Sequence, residues 1–551
     1  MIVPSKAALF ALASLCFDHI ACESSAERYQ KILKNPKERA KYRAACPAYD
    51  QYARQPHQPF SKGPMELPYQ RPQELCRTFE SEHVERTIAH MNTVMQDKDL
   101  SRIFENAFPN TLDTTVRWHV DGTEKLDDVS DGFDYDDGRW EGAQTFVVTG
   151  DIDAEWLRDS TNQLAQYQRL VKKDSALNNL ILGAINTQAE YVIESPYCNA
   201  FQPPPPSGLA PSGAGAKDNV HPAYEPSKVF ECKYELDSLA AFLSLGNQFN
   251  NHSSSTTFLN PRWYAALKTL LHTLDEQAKP TFDEETGTHE RNEYTFQRQT
   301  HSGTETLNLR GVGNPLGPGT GLIRSAFRPS DDATILGFFI PANAMMSVEL
   351  RRTASILKAA GKPSLSKDLA ARADAIEKGI WEHGVVEHKK WGKVFAYEVD
   401  GYGSHILMDD ANLPSLLSLP LLGFVDKEDE VYKNTRKMIL SRAGNPYYLE
   451  GRAFHGIGGP HIGLSNAWPM SLLVQIMTSD DDEEIMKCLD LVKKGCPLGL
   501  VHESVNVDKV RDYTRPWFAW ANSVFAQTIL DLAERKPELL FGKGADPYVI
   551  G

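Results

Sequence analysis

From about residue 81 onward, apolar positions recur every three to four residues, which is the helical period. The pattern predicts helices over 82–96, 160–172, 176–193, 235–247, 262–277, 332–359 and 367–381, then over 411–419, 428–441, 466–478, 482–494 and 517–535. Alternating, strand-like stretches are few and short, such as 145–148 and 393–397. Between the helices run loops longer than packing requires, roughly 198–232, 280–330, 383–410 and 443–465, and they hold many of the Gly, Pro, Trp, His, Arg and Asp residues. Long loops on a rigid scaffold are more often functional than idle. An even helix count near twelve suits six hairpins in a ring, an all-α (α/α)6 toroid with its site at the loop end.

The first residues do not fit that pattern. Lys6 precedes an apolar run of about eleven residues to Phe17, with small residues such as Ala21 close behind. This reads as a cleavable secretory leader over 1–22; an uncleaved leader holding the chain in a secretory-pathway membrane is the alternative. The run is shorter than the roughly 20 residues a membrane span needs, and no other segment is long and apolar enough to cross one. Residues 23–80 are polar and dotted with proline, more arm than core, and 81–545 form one catalytic domain. A net charge of −15 with no basic block excludes nucleic acid as a partner. Of eight cysteines, Cys16 and Cys22 fall in the leader, leaving Cys46, Cys76, Cys198, Cys232, Cys488 and Cys496. Pairings 46–76, 198–232 and 488–496 are candidates, but six cysteines allow fifteen connectivities. The sequon Asn251-His252-Ser253 is compatible with secretion. No metal-ligand spacing and no cofactor motif appears, and Gly456-Ile457-Gly458-Gly459 lacks the preceding strand and following lysine of a phosphate loop.

Two acidic motifs carry the chemistry. Arg328-Pro329-Ser330-Asp331-Asp332 lies about 170 residues before His502-Glu503-Ser504. Two carboxylates across a pocket are the minimum for cleaving a glycosidic bond, one protonating the leaving oxygen and the other activating water or attacking carbon. Taken alone, Ser-Asp-Asp before an apolar run reads first as a helix N-cap. The densest cluster is Asp151–Ser160, where Trp156 offers an apolar face and Arg158 and Asp159 offer polar partners for sugar hydroxyls; the competing reading makes Asp159 or Ser160 the cap of the next helix. In Met408-Asp409-Asp410-Ala411-Asn412, Asp410 reads as a cap, and Asp409 and Asn412 as hydroxyl ligands. His461 ends a glycine turn, and Arg515 stands at the entrance of the last helix.

Together with Glu235-Leu236-Asp237-Ser238 and Gly459-Pro460-His461, these motifs resemble glycoside hydrolase family 125, in order, over residues 150 to 522. The resemblance implies an (α/α)6, metal-independent exo-α-1,6-mannosidase that inverts the anomeric centre and acts on mannose-containing glycans, N-glycans or mannan oligosaccharides. It implies an aspartate of the first motif as general acid, Asp331 preferred to Asp332, and Glu503 as general base. The acid's pKa would be raised by a partly desolvated pocket, and an inverting pair stands roughly 6.5–9.5 Å apart. Candidate substrate contacts are Trp156, Arg158, Asp159, Arg328, Asp409, Asn412, His461, His502 and Arg515. Two departures from the family pattern, Val505 after His-Glu-Ser and the long loop 198–232, point to an altered pocket rim. The rival readings are a calcium-dependent α-mannosidase or α-glucosidase-like toroid, and a non-catalytic carbohydrate-binding protein.

Overall fold

A computed structural model of the chain describes residues 45–123, 138–213 and 218–550. The leader, Cys16, Cys22 and the start of the arm lie outside the described residues. Among those described, twelve helices reach nine residues or more. They are α1 (Glu82–Val94), α2 (Lys98–Ala107), α3 (Leu157–Ala165), α4 (Ser175–Glu194), α5 (Leu236–Ser253) and α6 (Pro261–Gln277), followed by α7 (Ile340–Ala359), α8 (Pro363–Gly379), α9 (Glu430–Ile439), α10 (Pro469–Met477), α11 (Asp482–Lys494) and α12 (Ala519–Arg535). They form an (α/α)6 toroid. Helix α3 packs between α5 and α12, α5 continues to α7, and α10 packs on α12, while α4 and α6, α8 and α11 cover the outside.

Capping chemistry separates the two layers. Outer helices other than α8, which opens on Pro363 after Lys362, start on a side chain that accepts backbone N–H groups: Ser81 for α1, Asp97 for α2, Asp174 for α4, Asn260 for α6, Asp429 for α9 and Asp481 for α11. Inner helices α3, α5, α7, α10 and α12 start on Trp156, Glu235, Phe339, Trp468 and Phe518, none of which caps its helix through its side chain. Their first N–H groups, with the partial positive charge of a helix N-terminus, therefore meet the loop end of the ring.

Short sheets build that end. Glu155–Trp156 pairs with Ala200–Phe201 and then Val229–Glu231; Phe338–Phe339 pairs with Glu398–Val399 and then His405–Ile406; Asn466–Ala467 pairs with Ser504–Asn506 and then Tyr513–Thr514. The arm described from residue 45 packs on the ring. Leu67 joins the main core, Tyr49 lies edge-on to Trp517 at 4.8 Å, and Arg71 is bonded to Asp113 at 2.7 Å.

Several predicted elements are corrected. The helix expected over 332–359 begins only at Ile340, because Ile335 and Leu336 donate their N–H groups to Glu398 at 3.0 Å each and Phe338–Phe339 is a strand. Segment 411–419 is not a helix. Pro414 holds Leu413 out of helical geometry, and the Asp409 carboxylate takes the N–H groups of Leu416 (2.8 Å) and Leu417 (3.0 Å); the four-residue helix Leu419–Leu422 follows and packs on α7. Helix α2 was not predicted. Disulfides join Cys46 to Cys76 and Cys198 to Cys232, whereas Cys488 and Cys496 are buried free thiols rather than a third pair. No helix among the described residues is long and apolar enough to cross a membrane.

Candidate active site

The two acidic motifs lie at the loop end. Arg328 donates its N–H to the Asp332 carbonyl (2.8 Å) and accepts from the Asp331 N–H (2.9 Å), so 328–332 is a tight turn. Asp331 occupies left-handed backbone at φ 69°, a conformation aspartate tolerates better than most residues and one that clusters at functional sites. The turn sends adjacent side chains different ways. Asp331 is partly exposed and accepts from Trp156 Nε1 (3.3 Å) and Asn199 Nδ2 (3.1 Å). Asp332 is 2 % exposed, accepts from Ser330 Oγ (3.1 Å) and stands 3.6 Å from His461 Nδ1. Neither caps a helix, because α7 starts eight residues later.

Glu503 is buried and accepts from Arg515 Nε at 3.1 Å; Arg515, itself at φ 52°, also pairs with Asp151. His502 faces away: its ring stacks on Tyr513 at 3.7 Å and its Nδ1 lies 2.9 Å from the Arg515 carbonyl. Burial pushes its pKa down to about 4, so it is neutral at physiological pH. His461 behaves in the opposite way. Burial opposes its charge, but the Asp332 carboxylate 3.6 Å away and the charges of Asp331 and Glu503 raise it to about 9. This one imidazole senses both motifs.

Several of the predicted sugar ligands are buried against other side chains. Arg158, 2 % exposed, binds Glu235 (2.5 Å), Asp237 (3.2 Å) and Asp159 (3.1 Å) and covers the Trp520 ring at 5.0 Å. Asp159 sits in the first turn of α3, and burial lifts it to about 6 despite Arg158. Arg328, 2 % exposed, is tied to Glu398 at 2.6 Å over the Tyr397 ring. Asp409 is fully buried on the amides of Leu416 and Leu417. Asn412 donates to Asp410 Oδ1 at 2.8 Å, and a Cβ on Gly459 would stand 2.5 Å from Asp410 Oδ2, which makes the glycine at 459 a packing requirement.

The sequence reading did not assign roles to Glu235, Asn199, Lys233 or Glu398. Glu235 stood in a quoted motif, immediately before α5, and that position was its signal. Asn199 follows Cys198, and its contacts depend on a chain reversal that spacing does not disclose. Lys233 is buried, pairs with Glu231 at 3.2 Å and lies over Phe327.

A helical toroid whose loop end gathers this many carboxylates is the architecture of a glycosidase. The chain belongs to glycoside hydrolase family 125, described as metal-independent alpha-mannosidases, and matches the family's sequence model over residues 97–530. It is 55% identical over 497 residues to the meiotically up-regulated gene 157 protein of Schizosaccharomyces pombe, covering 90% of this chain and 94% of that protein. Among solved structures it is similar to a Streptococcus pneumoniae metal-independent alpha mannosidase, in a non-productive substrate complex with alpha-1,6-mannobiose. That likeness is at 32% identity and TM-score 0.71, over 82% of this chain and 99% of the other.

Proposed function

We propose that this chain is an inverting, exo-acting α-mannosidase that releases terminal α-1,6-linked mannose from N-glycans or mannan oligosaccharides, with Asp331 as general acid and Glu503 as general base. The observation that carries the reading is the 328–332 turn, which sets Asp332 3.6 Å from His461, an imidazole on which the charge of Glu503 also acts. The relative's complex with alpha-1,6-mannobiose supports the linkage. Exposure favours Asp331 over Asp332 as the proton donor, since a leaving oxygen cannot reach a side chain that is 2 % exposed. As the C1–O bond breaks, Asp331 gives its proton to the departing oxygen; water bonds to C1 from the opposite face and passes its proton to Glu503. Arg515 holds the Glu503 carboxylate in place through a 3.1 Å ion pair. Two disulfides support residence in an oxidising, secretory compartment.

The test is proton NMR of the first sugar released from an α-1,6-mannobioside, with chelator present. β-Mannose formed first, with activity undiminished, is expected; α-mannose formed first would overturn inversion, and activity restored only by calcium would revive the calcium-dependent reading. Glu503→Gln should abolish turnover while leaving sugar binding measurable.

A further inference from the structure

The acid assignment meets a difficulty at its own carboxylate. Burial raises Asp331, but Lys233, Arg158 and His461 more than offset it and hold Asp331 below the usual carboxylate range. A general acid at neutral pH needs a proton, and the surrounding groups supply one. Glu235, 1 % exposed at the start of α5, is gathered with Asp331 on one donor, the Asn199 side-chain amide, and the charge of each carboxylate acts on the other. Two carboxylates brought together in a desolvated site favour the state in which one of them is protonated.

Asn199 fixes the pair. Its Oδ1 accepts the Lys233 N–H at 3.0 Å, which turns its Nδ2 toward the carboxylates, where it stands 3.2 Å from Glu235 Oε1 and 3.1 Å from Asp331 Oδ1. The other Glu235 oxygen accepts from Arg158 (2.5 Å) and Ser238 Oγ (3.0 Å). Charge counting agrees. Glu235, Asp237 and Asp159 share Arg158, whereas Glu231 also has Arg298 and Glu503 has Arg515. One guanidinium cannot sustain three ionised carboxylates in a desolvated site, so protons stay bound there.

We propose that Glu235 and Asp331 hold one proton between them across the Asn199 amide, and that Glu235 is the positioning residue supplying the proton Asp331 gives to the leaving oxygen. This rests on the reading of Asp331 as general acid. At rest the proton sits on Glu235, which burial and the neighbouring Asp331 charge hold well above the carboxylate range against the pull of Arg158. When the glycosidic oxygen approaches, the proton passes from Glu235 to Asp331 and from Asp331 to that oxygen as the C1–O bond breaks. The pair ends doubly ionised, Glu503 ends protonated, and exchange with solvent restores both. Such a pair titrates as a unit.

The experiment measures kcat/KM against pH for α-1,6-mannobiose and for 2,4-dinitrophenyl α-mannoside, whose leaving group needs no proton. Glu235→Gln should lower mannobiose turnover about 100-fold and dinitrophenyl mannoside turnover less than about tenfold, with the alkaline limb for mannobiose moved down by about one pH unit or more. An alkaline limb at the wild-type position overturns the proposal. Asp331→Asn separates the two failures. If it abolishes mannobiose cleavage and spares the dinitrophenyl substrate while the Glu235→Gln limb stays put, only the shared proton is lost; if it spares mannobiose cleavage, the acid assignment falls and the proposal with it. Should Glu235→Gln fail to fold, Glu235→Asp keeps a charge for Arg158 but withdraws from Asp331, and the same downward shift is required of it.

Discussion

Replacing Arg158 by methionine separates a sugar ligand from a buried counter-ion. The guanidinium is 2 % exposed and touches three carboxylates, Glu235, Asp237 and Asp159, at 2.5, 3.2 and 3.1 Å. Removing one partner from a buried pair costs about 3–5 kcal/mol, because the remaining charge stays desolvated. Methionine fills much of the volume, so the loss is electrostatic rather than a cavity. Burial already holds Glu235, Asp237 and Asp159 above the ordinary carboxylate range against Arg158, and without the guanidinium they rise further and bind protons more tightly. For a carboxylate raised on folding, the native state holds more protons than the unfolded state, so stability falls as pH rises between the two pKa values. Each additional carboxylate held protonated changes the deficit by about 1.4 kcal/mol per pH unit. Urea unfolding followed by tryptophan fluorescence should show a deficit of about 3–5 kcal/mol near pH 7 that shrinks steadily toward pH 5. A variant within about 1 kcal/mol of wild type across that range, with its defect confined to KM, would refute this account and return Arg158 to the sugar.

His461 should show the opposite pH dependence. Its pKa is raised to about 9, above the ordinary histidine value, so its stabilisation is present in full below about pH 6.5 and is lost as pH rises through about 9. The ring is 37 % exposed and solvent screens it, so the test is the sign of the trend: melting of His461→Gln against wild type should differ most at pH 6 and converge above pH 9. Replacing Cys198 and Cys232 together by serine opens a loop with a sequence separation of 34 and should cost about 3–4 kcal/mol in chemical unfolding. It should also lower mannobiose turnover, since Asn199 adjoins the bridge; a stability loss with undiminished kcat would separate the bridge from the site. Gly459→Ala forces a Cβ to within 2.5 Å of Asp410 Oδ2, and calorimetry should register a destabilisation of about 1–3 kcal/mol.

The toroid was legible because its outer helices bury one face each, and that writes a 3.6-residue period into helices as different as α1 and α11. The errors fall where a side chain outcompetes the helix for backbone groups. Asp409 draws off the amides of Leu416 and Leu417, and Glu398 draws off those of Ile335 and Leu336. Both segments are apolar enough to read as helix, and the competing carboxylate is seven or more residues away in one case and more than sixty in the other. Helix α2 did carry its signal: Leu100, Ile103, Phe104 and Ala107 keep helical spacing behind the Asp97 cap.

The site was legible as residue types and illegible as roles, and the cause is layering. The N-termini of five inner helices, none capped by a side chain, draw acidic side chains to the loop end, so Trp156-Leu157-Arg158-Asp159 reads as sugar-binding chemistry while Arg158 pairs with Glu235, Asp237 and Asp159. Spacing along the chain cannot tell a group that faces the ligand from one that faces another side chain one layer down. The adjacent pair Asp331 and Asp332 shows how fine the distinction is. Identical side chains one residue apart are separated only by a left-handed φ of 69° at the first, which exposes Asp331 to Trp156 and Asn199 and turns Asp332 toward Ser330 and His461. Exchanging their roles would require the turn to unwind at Arg328, whose guanidinium is anchored on Glu398 from the neighbouring sheet. The buried Arg328–Glu398 pair thus anchors the turn that sends the two aspartates to different partners.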